Sequence, residues 1–357
     1  MPSHPKVAPT PPLPGTTPEA SGQMSPTRPK PRPALVWGAL AIVYVIWGST
    51  YLGIRVVAES LPAFGSAAAR FTIAGILLSA ILAAARGLRC LRVTWRQLAA
   101  SAFVGIMLLA VGNGLVVLAE SPDFALPSGV AALLVALNPL LLVILRAATG
   151  DRPRLATVGG VVIGLVGLAA LFLPGLGLSI GSGPAADAIP VVGGLLVLIA
   201  VTCWSVGSFA TRWLPMPEDP FVASVYQMFA GAASMTVIAI GRGEPAPWAV
   251  PDVPAKAWLA LGYLIVAGSI VAYTSYVWLL HHAPISLVST YAYVNPVIAL
   301  ALGALLVGEA LTVQVLFAAA TVIAGVALVV STERPKGAAT EPLDSHRRGG
   351  QRSRSWR

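Results

Sequence analysis

The sequence predicts an all-helical (all-α) integral membrane protein of ten transmembrane helices, arranged as two inverted five-helix repeats. Three observations carry that expectation: the composition, the number of long apolar runs, and a recurrence at a fixed offset. Of 357 residues, 56% are hydrophobic and 10% are charged, with a mean hydropathy of +0.80. A soluble domain carries roughly 25% charged residues. So few charges cannot cover a water-facing surface, and lipid is the expected solvent.

In chain order, residues 1–33 hold 11 of the 30 prolines, among Ser, Thr, Lys and Arg. That stretch has too little apolar area to fold and is expected to be a disordered cytoplasmic tail. Apolar runs follow at 35–54, 64–86, 97–119, 127–148, 155–174, 188–211, 220–240, 257–280, 285–306 and 311–331. Each has about the 20 residues a spanning helix needs. Pro, Gly or charge clusters mark most of the short connections. The first run starts far from the N-terminus and reads as a retained helix, not a cleaved signal. Residues 333–357 form a second polar, basic cytoplasmic tail.

The basic residues orient this array. With the N-terminus in the cytoplasm, 19 of the 23 Lys and Arg residues fall in cytoplasmic segments and 3 (Arg55, Arg242, Lys256) in outer loops. Only Arg70 is left inside the membrane. The positive-inside rule therefore favours a multi-pass plasma (inner) membrane protein with both termini cytoplasmic. The same distribution argues against nucleic-acid binding, because no basic groove can form between lipid-spanning segments. Cys90 lies in a basic loop and Cys203 in an apolar run, which argues against a disulfide framework or a metal site.

The halves repeat. Trp47 and Trp204, Pro127 and Pro284, and Asn138-Pro139 and Asn295-Pro296 are each separated by 157 residues. Spans 1–5 (residues 34–175) thus correspond to spans 6–10 (residues 188–332). Because five is odd, the second copy enters the membrane from the opposite side. Inverted repeats are a common construction of secondary transporters, with the solute site near the midplane between the halves.

Several polar residues lie deep in these spans. Arg70 sits about six residues into span 2, roughly 9 Å deep. An intramembrane arginine should face the bundle interior or a water-filled cavity. Glu120 closes span 3 on the same side, and the two are expected to meet or share water. Asn138-Pro139 and Asn295-Pro296 fall near the midplane of spans 4 and 9. There each proline removes an amide donor and disturbs the carbonyl four residues earlier, and each asparagine adds an amide. Trp47-Gly48-Ser49-Thr50-Tyr51 and Trp204-Ser205 put aromatic and hydroxyl groups on repeat-related helices, too deep for an interfacial belt. Tyr273, Tyr276, Tyr291 and Tyr293 add phenols, and Asn113 and Gln227 add amides. The adjacent pair His281-His282 points to different faces of a helix end, as a metal site would not. Gly160 and Gly164, with Ala320 and Ala324, suit close helix packing.

Taken in order, these residues resemble the EamA family of the drug/metabolite transporter superfamily, and look closest to its YedA-like branch. The segments that carry the resemblance are Ile46-Trp47-Gly48-Ser49-Thr50-Tyr51, Arg70-Phe71 with Ala74-Gly75, and Gly112-Asn113-Gly114 leading to Ala119-Glu120. Pro127-Ser128-Gly129, Cys203-Trp204-Ser205 and Tyr291-Ala292-Tyr293-Val294-Asn295-Pro296 complete it. The similarity runs from about residue 35 to 331. It departs at Asn138 and at Ser121-Pro122-Asp123-Phe124. The resemblance implies export of small metabolites, amino acids or drugs by alternating access. It also implies a cavity mainly from spans 1–4 and 6–9, with spans 5 and 10 peripheral.

The expected protein is a secondary transporter, not an enzyme, with a small-molecule solute and the bilayer as partners and no cofactor. Proton coupling and a homodimer stay open. A membrane-embedded lipid-modifying enzyme would need an acid cluster or a nucleophile–base pair. A channel would need a ring of selectivity groups. The solute-site candidates are Trp47, Ser49, Thr50, Tyr51, Arg70, Asn113, Glu120, Asn138, Trp204, Gln227, Tyr273, Tyr291, Tyr293 and Asn295, with helix breaks at Pro139 and Pro296.

Overall fold

Apolar runs of this length leave the backbone one way to satisfy its own hydrogen bonds, and the chain takes it: the described residues are helical, with no strand among them. The structure, a computed structural model, describes residues 33–150, 154–172 and 190–333. The tails 1–32 and 334–357 lie outside the described residues. So do the ends of the apolar runs at 173–174 and 188–189.

The long helices are α1 (Pro33–Ala58), α2 (Ala63–Arg86), α3 (Trp95–Glu120), α4 (Ser128–Ala148), α5 (Leu155–Phe172), α6 (Val191–Ala210), α7 (Pro220–Gly241) and α8 (Ala255–His282). α9 (Tyr291–Leu302) follows a short turn of helix at Ile285–Val288 and runs on through Gly303–Val307, and α10 (Val313–Glu333) ends the array. Among the described residues, seven helices are long and apolar enough to cross a membrane. Leu155–Gly167, Val294–Val307 and Val313–Val329 are shorter apolar stretches.

The helix ends follow local chemistry. Thr94 and Gln97 form a reciprocal capping box at α3. Asp219 caps α7, with Pro220 at its first turn. α4 is broken by a turn at Ala136-Leu137, just before Asn138-Pro139. The break in the second repeat falls earlier, at Ser289-Thr290, so Pro296 is inside α9.

Large apolar side chains face outward: Val237, Ile240 and Leu259 are 70%, 73% and 74% exposed. Polar side chains face inward, among them Arg70, Ser101, Glu120, Asn138, Ser205, Gln227 and Asn295. That polarity is the reverse of a water-soluble core and is what a lipid-solvated bundle requires.

Helix contacts are preserved when the halves are exchanged. α3 packs on α6 and α7, as α8 packs on α1 and α2; α4 packs on α6, as α9 packs on α1. α2 packs on α7, α4 on α9 and α5 on α10, each helix against its own counterpart. The α5–α10 pair approaches through glycine: a Cβ on Gly160 would lie 2.7 Å from the Gly325 carbonyl oxygen.

Candidate functional site

A partly open cavity lies at the repeat junction. α1 supplies Trp47, Thr50, Tyr51 and Ile54; α2 supplies Arg70 and Phe71; α3 supplies Leu109, Gly112, Asn113 and Val116. Val135 closes it from the break in α4, Trp204 from α6, Gly268 and Tyr273 from α8, and Tyr291 from α9.

Two walls are not α-helical. Ile106–Asn113 in α3 and Leu264–Tyr273 in α8 are π-helical. Shifting the first by 157 residues overlays it on the second. Each widened turn brings a glycine to the cavity: Gly112, beside the lining residue Asn113, and Gly268, beside Ser269, which holds Arg70. Such segments occur often at functional sites.

The floor is aromatic. The repeat-related Trp47 and Trp204 meet edge to face, with centroids 5.4 Å apart at 84°. Tyr276 and Tyr291 lie 4.9 and 5.4 Å from Trp47. Both indole donors are used: Trp47 Nε1 donates to the Gly268 carbonyl at 3.4 Å, and Trp204 Nε1 to the Tyr276 hydroxyl at 3.1 Å.

Arg70 is the one charged side chain among the described residues of this wall. It is 4% exposed, donates from Nε to Ser269 Oγ at 2.8 Å, and lies 4.7 Å from the Phe71 ring centroid. Among the described residues, its Nη1 has no partner, and neither has Oδ1 of Asn113. Glycine at 268 admits the guanidinium, since a Cβ there would lie 3.0 Å from Nη2. A buried donor and a buried acceptor left unpaired on one wall are costly, and a ligand with an acceptor and a donor would satisfy both.

The other candidates surround this cavity without lining it. Gln227 stands behind Tyr273, whose hydroxyl donates to its Oε1 at 2.6 Å. Asn138 donates to Ser205 Oγ at 2.9 Å. Asn295, with its amide turned so that nitrogen faces carbonyls, reaches Tyr44 O and Tyr291 O at 3.0 and 3.2 Å. Ser49 Oγ donates to the Ile46 carbonyl at 2.8 Å and also bonds the Tyr263 hydroxyl. The side chain of Tyr293 lies outside the described residues. Pro139 begins the second half of α4.

Arg70 and Glu120 form no ion pair, because the guanidinium turns to the π-helical segment of α8. Glu120 is 1% exposed, and both carboxylate oxygens lack a partner among the described residues. Glu309 is engaged elsewhere: Oε1 accepts from Ser128 N and Oγ, both at 2.8 Å, and Oε2 from Gly129 N at 3.2 Å. His281 and His282 bond the Val277 and Trp278 carbonyls through Nδ1, and His282 stacks on Trp278.

Sequence reasoning missed Ser269 and Gly268, which fix the Arg70 side chain, and the π-helical turns. The available signal was a glycine beside a polar residue inside an apolar run, at Gly112-Asn113 and again at Gly268-Ser269.

Known proteins share this arrangement. The profile of the EamA-like transporter family matches residues 34–173 and again 191–331. The chain is 36% identical over 294 residues to the inner membrane transporter YedA of Escherichia coli strain K12, covering 82% of this chain and 90% of that protein. It is 27% identical over 295 residues to a "Probable terminal-alkyne amino-acid exporter" of Streptantibioticus cattleyicolor, covering 82% and 92%. A crystal structure of 25% identity matches with a TM-score of 0.59, over 84% of this chain and 96% of the other. Two family matches spanning nearly all the described helices, and a relative this similar over most of its length, show that the chain belongs to the EamA-like transporter family.

Proposed function

We propose that the chain is a secondary transporter of the inner membrane that exports a small metabolite, amino acid or drug by alternating access, with the solute held in the central cavity. The observation that carries this reading is the pair of unpartnered buried atoms, Arg70 Nη1 and Asn113 Oδ1, above an aromatic floor at the repeat junction. That wall suits a solute with an anionic group, a hydrogen-bond donor and a flat apolar part.

The finer architecture belongs to the same proposal: ten spans, divided as 34–175 and 188–332, inverted with respect to each other, and both termini cytoplasmic. Three helix pairs, α2–α7, α4–α9 and α5–α10, pack against their own repeat counterparts. A two-fold axis along the membrane normal brings at most one or two such pairs together, whereas an axis in the membrane plane crosses several. The distribution of Lys and Arg supplies the orientation.

The test is flux in proteoliposomes. Counterflow and saturation with a small carboxylate-bearing solute, lost in Arg70→Lys, are expected, because a point-charge ammonium cannot reproduce the guanidinium's fixed fork. Conductance without counterflow would overturn the reading in favour of a channel. The same vesicles with an imposed pH gradient read out proton coupling.

A further inference from the structure

Two more cavities lie along the bundle. One, a narrow hollow, sits toward the end where α1 and α3 finish and α2 begins, and shares Ile54 and Arg70 with the central cavity. The other, partly open, lies at the opposite end, between Ser208, Thr211 and Arg212 of α6 and its C-terminal turn, and Leu280 and His281 of α8. It shares no lining residue with the central cavity.

What separates these two is thin. Trp204 borders the central cavity and Ser208 the far one, one helical turn apart on α6, about 6 Å of rise. The Tyr276 hydroxyl bridges that turn: it accepts from Trp204 Nε1 at 3.1 Å and bonds Ser208 Oγ at 2.8 Å. Its ring, 2% exposed, fills the space between Trp47, Trp204 and Tyr291, with centroids 4.9, 5.6 and 6.0 Å away. The Tyr276 hydroxyl ties this cluster of rings to α6. It has no repeat-related twin, because the position 157 residues before Tyr276 is Ala119.

We infer that the Tyr276 hydroxyl is the latch that closes the solute route between the central cavity and the Arg212–His281 end. This rests on the transport reading, in which the far cavity is the mouth of the second access state. Opening requires Tyr276 to leave Trp204 and Ser208 together. Removing the hydroxyl keeps the ring but takes away both bonds, which shifts the closed-to-open ratio by about tenfold.

The experiment labels Thr50→Cys, in the wall of the central cavity, with a membrane-impermeant maleimide, in a background where Cys90 and Cys203 are alanine. The full chain is used in vesicles of both orientations. Tyr276→Phe should raise the labelling rate about tenfold from the Arg212–His281 side and not from the other. Ser208→Ala, which spares the Trp204 bond, should raise it about threefold. An unchanged rate in both variants, or an equal rise from both sides, would overturn the latch. Labelling needs no solute, so it separates the two ideas. A side-specific rise with no counterflow of any solute removes the transport reading and keeps the barrier, while counterflow with unchanged labelling removes the latch alone.

Discussion

Glu309 reaches from the second repeat to hold the first. Pro127 precedes α4 and offers no side-chain cap, so the first amides of that helix look elsewhere. Gly308 adopts the left-handed region at φ 73° and ψ 27°, and Glu309 N bonds the Gly303 carbonyl at 3.0 Å. This turn aims the carboxylate at Ser128 N, Ser128 Oγ and Gly129 N, across 181 residues of sequence. A carboxylate at a helix N-terminus gains from both the hydrogen bonds and the dipole. Glu309→Ala should cost about 2 kcal/mol, because the side chain is half-buried and water takes up part of the loss. Glu309→Gln keeps an acceptor and loses the charge, so it should cost about half as much. At roughly 2–4 °C per kcal/mol for a chain of this order of size, the apparent Tm in detergent falls by roughly 5 °C for Ala and by less for Gln. Ser128→Ala combined with Glu309→Ala should cost less than the two added together, because they share a contact. Identical melts for wild type and Glu309→Ala, or strict additivity in the double variant, would show that this carboxylate does not tie the repeats.

Three further outcomes follow from the packing. Gly105→Ala should lower the apparent Tm by several degrees, since the new Cβ meets the Gln227 backbone, its Cα at 2.7 Å, and overpacking costs about 1–3 kcal/mol; an unchanged melt would mean that α3 and α7 can separate freely. Gly308→Ala should destabilise by about 1 kcal/mol through left-handed strain alone, and by no more once Glu309 is already alanine; thermal melts of the single and double variants read this. Ser269→Ala leaves Arg70 Nε unpaired, so it should weaken carboxylate-dependent counterflow several-fold with little effect on expression, which saturation curves in vesicles would show.

The sequence alone made the helical class, the apolar segments and the tandem relation of the halves legible, because lipid solvation leaves its mark on composition and repetition survives as spacing. It also pointed to much of the cavity wall: Trp47, Thr50, Tyr51, Arg70, Asn113, Trp204, Tyr273 and Tyr291 were readable as polar or aromatic residues at depths where lipid does not tolerate them. It did not reveal that Asn138, Gln227 and Asn295 brace the wall from behind. Depth along a helix can be counted in residues, but rotation about its axis depends on which neighbour it packs against. The π-helical turns, the partnership of Arg70 with Ser269 in place of Glu120, and the seat of Glu309 on α4 were decided only by tertiary structure. The two side-chain partnerships join groups some 180 to 200 residues apart, and no local pattern records which distant atom will satisfy a buried donor.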